Sequence, residues 1–270
     1  MQVLTGATDF HRLCSVYICE ICETKIRRLR NIGPLIERTF PRKFKLYPIT
    51  MKIKKLSLQT AYLKTLEEFY SSILELPVQS PGENKINIKV GGSDLVFTET
   101  RKAEPFYHFA INIPANKIEE AKDWLINRVR LLWMEDYKDD IADFVNWHAK
   151  SIYFYDPAGN IVELIARFDL NNNIDKTFSS RQFLSVNEVG LVFSNEKFEK
   201  EIMHLENLYS LSYFDKQLPL PNFRAMGDDE GLFVIVPEHR NWYPTDRPSG
   251  IFPMVVEFDC RGTSYSLEMK

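Results

Sequence analysis

Three segments of this chain repeat one pattern: an alternating strand, an amphipathic helix, then further short strands. In residues 53–60, 106–113 and 186–193 the alternation is strong enough for one face of each strand to be buried. Helical spacing follows each of them. Leu63, Leu66, Phe69, Tyr70, Ile73 and Leu74 form the first such stripe. Ile118, Ala121, Trp124, Leu125 and Val129 form the second, and Phe198, Ile202, Leu205 and Leu208 the third. Short strands then recur at 86–90 and 95–97, at 151–155 and 161–165, and at 232–236. One such unit buries a single face of its sheet and needs a partner. The pattern predicts an α+β fold of repeated βαβββ modules. Modules 51–100 and 105–170 are expected to pair into a curved eight-stranded sheet around a cleft, where a small ligand binds. Residues 171–180 read as a linker. Residues 185–270 read as a third module, standing largely alone, with an extra C-terminal strand that opens an incomplete fourth.

Composition narrows the partners. A net charge of −3 over 270 residues leaves no global field to recruit nucleic acid or an acidic membrane. No apolar run approaches the roughly 18 residues of a membrane helix, and no secretory signal opens the chain. A cytoplasmic protein is expected. Residues 1–50 are basic and keep no steady period, so they read as an extension without a core of its own. His11, Cys14, Cys19 and Cys22 cluster there, but a single CxxC is weak evidence for zinc.

The most informative string is Ile152-Tyr-Phe-Tyr-Asp-Pro-Ala-Gly-Asn-Ile-Val-Glu-Leu164. Asp156-Pro157-Ala158-Gly159 is a tight-turn sequence between two strands. Glu163 then interrupts an apolar run, and a carboxylate facing a barrel interior is costly unless it is paired or bound to metal. An outward-facing Glu163 is the alternative that period alone leaves open. The string resembles the vicinal oxygen chelate superfamily of glyoxalase I, bleomycin- and fosfomycin-resistance proteins and type I extradiol dioxygenases.

That resemblance implies metal ligands at the third position of a module's first strand and near the end of its last. Here those positions are Lys55, His108 and Glu188 on the first strands, with Glu163 on the last strand of module two. His108 and Glu163 are therefore the expected ligands of a divalent metal, Fe²⁺ or Mn²⁺. Lys55 is expected in the same pocket, where a second histidine would stand, and an ammonium has no lone pair to give. Glu188 has Ile235 as its counterpart, so no metal is expected in module three. The extradiol pattern also implies His148 and Tyr153 as groups acting on substrate, and no residue is assigned to an organic cofactor. In module three Arg240, Trp242, Tyr243 and Arg247 share a loop that either caps an anionic aromatic substrate or is ordinary surface.

The function implied is a metal-dependent enzyme, glyoxalase-like or dioxygenase-like, acting on a small oxygen-rich substrate, with catechols among the candidates. The alternative is a small-molecule binding or sequestering protein of the bleomycin-resistance type. Such modules also allow a homodimer.

Overall fold

The computed structural model describes residues 50–270. The histidine–cysteine cluster and the rest of the basic extension lie outside the described residues.

Module one runs β1 (Met51–Thr60), α1 (Leu63–Glu68), β2 (Val78–Gly82), β3 (Lys85–Val90) and β4 (Ser93–Glu99). A turn of π-helix, Phe69–Ile73, prolongs α1. Strand β4 returns parallel to β1, which places the strands in the order β1-β4-β3-β2. Module two repeats this with β5 (His108–Ile113), α2 (Ile118–Leu125), β6 (Ala142–Phe144), β7 (Ala149–Tyr155) and β8 (Ile161–Arg167), in the order β5-β8-β7-β6. Module three comprises β9 (Ser185–Phe193), α3 (Phe198–Tyr209), β10 (Arg224–Asp228) and β11 (Gly231–Pro237). A hairpin, β12 (Met254–Cys260) and β13 (Thr263–Met269), follows.

The modules do not pair as expected. Modules one and two lie in different sheets. Strand β1 pairs antiparallel with β12, giving a six-stranded sheet, β13-β12-β1-β4-β3-β2. Strand β5 pairs antiparallel with β9, so modules two and three share a seven-stranded sheet, β10-β11-β9-β5-β8-β7-β6, curled into a half-barrel. Period-2 alternation decides which face of a strand is buried, not which neighbour takes its free edge. Each first strand offers the same row of backbone donors and acceptors to any partner.

The half-barrel has two unlike faces. Its convex side contributes Phe109, Phe154, Val162, Leu164 and Phe233 to one continuous core with the helices and the six-stranded sheet. Burying each large apolar side chain stabilises the fold by about 1.5–3 kcal/mol. The alternate residues, among them His108, Tyr153, Glu163 and Val234, line the concave side.

One polar joint ties module one to module two. Asp156 accepts the backbone N–H groups of Ala158 and Asn160, each at 3.0 Å, which closes the tight turn. Its other oxygen accepts the Asn160 amide at 2.7 Å and the Tyr70 hydroxyl at 2.9 Å. Burial still raises the Asp156 pKa to about 6, against the pull of these donors. Gly159 sits at φ +78°, in the left-handed region that the turn requires.

Candidate metal centre

Registry brings three ligand-bearing side chains together on the concave face. Ala110 on β5 stands opposite Glu163 on β8 and opposite Glu188 on β9. His108 lies one concave-facing position earlier on β5. The donor atoms of His108, Glu163 and Glu188 all fall within 4.8 Å of one another, and all three residues are buried.

Each is held by its surroundings. The Nδ1 atom of His108 lies 3.2 Å from the Ile161 carbonyl oxygen. Only a protonated Nδ1 can bond there, so Nε2 is left with its lone pair free. Nε2 faces Glu163 Oε2 at 3.5 Å. Burial lowers the His108 pKa to about 4, so the ring is neutral at physiological pH. Burial, and then the charge of Glu188, raises the Glu163 pKa to about 8, with the hydroxyls of Ser151 and Tyr153 opposing the rise. Tyr153 is raised well above its usual value by burial and by the two glutamates, so it remains a phenol able to donate.

Glu188 has a partner of its own. It accepts a hydrogen bond from Arg167, whose side chain is fully buried at the end of β8. Burial raises the Glu188 pKa, and the Arg167 charge draws it back. A β-bulge helps here. The register of β5 against β9 shifts between Ala110 and Ile111, leaving Asn187 unpaired in the ladder. Asn187 Oδ1 then accepts Arg167 Nε at 2.8 Å. Arg167 Nη1 reaches Asp229 at 3.2 Å, and Asp229 is bound by Lys216 at 2.6 Å. Lys216 in turn reaches Asp169 at 2.8 Å, and Asp169 meets His148 at 2.7 Å. An alternating chain of charges thus runs from the surface to the back of the site.

These placements revise three expectations. Lys55 belongs to the other sheet, where its ammonium pairs with Glu257 at 2.7 Å, so it does not stand beside Glu163. The positive charge nearest the two glutamates is Arg167, which the sequence pattern did not single out. His148 is 60% exposed on its pair with Asp169 and is absent from the cavity lining, whereas its neighbour Trp147 is part of it. Glu188 joins His108 and Glu163, although its own module supplies no second ligand.

The triad forms the floor of a cavity of about 250 Å³. Phe144, Trp147, Phe223, Trp242 and Tyr243 supply its aromatic walls. Trp242 lies over His108, with ring centroids 5.1 Å apart. It fits because Gly190 has no side chain: a Cβ there would stand 2.6 Å from the indole. Among the described residues no helix is long and apolar enough to cross a membrane.

The donor set suits a divalent cation. Donors lying about 2.0–2.2 Å from one ion are at most roughly 4.4 Å apart. The separation of 3.5 Å between His108 Nε2 and Glu163 Oε2 is already inside that limit. One neutral imidazole with two carboxylates is a nitrogen–oxygen set of the kind that binds iron or manganese.

No protein-family profile matches this chain, and no curated protein matches it. Solved structures similar to it include glyoxalase, bleomycin-resistance and dioxygenase proteins. Glyoxalase I from Zea mays has a TM-score of 0.48 at 12% identity, with 82% of this chain and 93% of that one covered. A glyoxalase/bleomycin resistance protein/dioxygenase from Alicyclobacillus acidocaldarius has a TM-score of 0.37 at 16% identity, covering 45% of this chain and 96% of that one. A mutant of the fosfomycin resistance protein FosX from Listeria monocytogenes, complexed with Mn(II) and a dihydroxypropylphosphonic acid, has a TM-score of 0.34 at 18% identity. It covers 44% of this chain and 91% of that one.

Proposed function

We propose that this protein is a metal-dependent enzyme of the vicinal oxygen chelate type, acting on a small oxygen-bearing substrate in the half-barrel cavity. His108, Glu163 and Glu188 would hold the metal, with Fe²⁺ or Mn²⁺ as the ion that suits them. The observation carrying this reading is the convergence of three buried donors on the floor of an aromatic-walled cavity. A bound divalent metal would supply Lewis-acid stabilisation of negative charge developing on substrate oxygens.

The chain's own groups have definable tasks. The Ile161 carbonyl fixes the His108 tautomer, so that Nε2 faces the cavity without rearrangement. Arg167 favours the charged form of Glu188 and limits its rotation. Tyr153, held as a phenol, is the proposed proton or hydrogen-bond donor to a substrate oxygen. The apolar walls lower the local polarity, which strengthens electrostatic contacts among the buried groups of the floor.

The second reading is a binding or sequestering protein. It is favoured by the Arg167–Glu188 pair, which balances the charge of Glu188 without any metal. Metal content separates the two. Protein purified without chelator and reconstituted with Mn²⁺ is expected to hold close to one ion per chain, and Glu163→Gln far less. Equal and negligible metal in both would leave the binding-protein reading in its place.

A further inference from the structure

The lining of the cavity carries groups of both signs. The floor carries the two glutamates and a neutral histidine. Arg240 is the one arginine or lysine in the lining; Arg167 stands behind Glu188 and does not line it. Among the described residues Arg240 has no carboxylate partner. Its Nη1 reaches only the neighbouring Asn241 carbonyl, at 3.2 Å, and its guanidinium lies 5.1 Å from the Phe223 ring centroid. Burial depresses its basicity and no acid counteracts this. Tyr243, also in the lining, has a buried hydroxyl without a hydrogen-bond partner. A half-buried cation without an acid partner and an idle buried hydroxyl in one cavity are groups that a ligand would satisfy.

We infer that the ligand of this cavity is a single-ring aromatic carboxylic acid, bound with its carboxylate on Arg240 and its ring between the aromatic walls. The inference rests on reading the cavity as a ligand site, and it adds the substrate class. Arg167 is already paired with Glu188, so Arg240 is the cation of the lining left for a carboxylate, and the ring then lies among the aromatic side chains. Phe144, Trp147, Phe223 and Trp242 offer the ring flat or edge-on apolar contact. Size limits the ring system. A cavity of about 150 Å³ accepts one benzene, and sites for larger ligands start at about 300 Å³. The 250 Å³ here suits one ring with a substituent. One guanidinium matches a carboxylate in a bidentate fork, whereas a doubly charged phosphate would lack a second cation.

The test uses the full-length protein, treated with chelator and held at neutral pH, where benzoate is ionised. Benzoate and its uncharged counterpart benzamide are titrated while the fluorescence of Trp147 and Trp242 is followed. Wild type is expected to bind benzoate at least about tenfold more tightly than benzamide, a modest charge-assisted preference. Arg240→Gln is expected to abolish that preference, and Arg240→Lys to restore part of it. Equal affinity for the two compounds, binding of neither, or a preference that survives in Arg240→Gln would overturn the inference. A Mn²⁺ titration of the same preparation keeps the two readings apart. Failure to bind Mn²⁺ with the benzoate preference intact removes the metal and leaves the ligand class. Mn²⁺ binding without the preference does the reverse.

Discussion

Arg167 and Glu188 pair inside the protein with both side chains closed off from water, and a carboxylate oxygen of the same Glu188 lies within 4.8 Å of one of Glu163. The pair explains how two carboxylates can share a buried cavity floor. It also makes Arg167 the residue whose loss should be felt most. Arg167→Met strands a buried carboxylate, and such broken pairs destabilise by about 3–5 kcal/mol. Chemical denaturation should show a loss in that range, partly recovered in the double variant Arg167→Met/Glu188→Gln. Lys216→Met should destabilise less, because Asp169 and Asp229 both reach solvent.

The metal-free protein should lose stability as pH rises from 6.5 to 8. Glu163 holds its proton more tightly when folded, with a pKa moved from 4.5 to about 8, so the stability it contributes is full below 4.5 and is lost as pH passes 8. His108 acts in the opposite sense: its pKa falls from 6.5 to about 4, and its contribution is lost only as pH falls through that window. Above pH 6.5 the Glu163 effect is therefore no longer offset by His108. Melting temperatures should decline across 6.5–8 in wild type and stay flatter in Glu163→Gln. Mn²⁺ should raise the melting temperature more at pH 8 than at 6.5, since the ion replaces a proton.

Gly190→Ala tests how Trp242 is seated. The new methyl would stand 2.6 Å from the indole edge, so the ring must move off His108. Overpacking of this kind typically destabilises by about 1–3 kcal/mol. The tryptophan emission should shift toward that of a more hydrated indole. Unchanged emission together with unchanged stability would show that Trp242 does not cap the site.

Tyr70→Phe removes one donor from buried Asp156 and loosens the joint between modules one and two. A loss of about 1–3 kcal/mol is expected in urea denaturation. Metal stoichiometry should not change, because Tyr70 touches no ligand. A large drop in metal content would mean that the turn at Asp156 positions Glu163 more directly than the contacts suggest.

Much of this architecture was legible in the amino-acid pattern, and the gaps have physical causes. The first strands, the helices and the strands 86–90, 151–155 and 161–165 announce themselves by burying a regular face. Strands β2 and β13 lie at sheet edges and are mostly exposed, so no apolar alternation marks them. The partnership of β5 with β9 could not be read, since a free strand edge carries no side-chain signature. The same gap hid the third member of the triad. Glu188 looked isolated within its own module, and only the shared sheet brings it to His108 and Glu163. Arg167, at the end of an apolar strand, resembled an ordinary boundary charge; its burial follows from the bulge at Asn187 and the distant Asp229.

If His108, Glu163 and Glu188 hold one divalent ion, anomalous diffraction from crystals grown with Mn²⁺ will locate it. One strong peak is expected on the cavity floor, about 2.0–2.2 Å from His108 Nε2 and from an oxygen of each glutamate, and no such peak in Glu163→Gln crystals. An empty floor at saturating Mn²⁺, with Glu188 still paired to Arg167 and Glu163 still facing His108, would contradict that assignment.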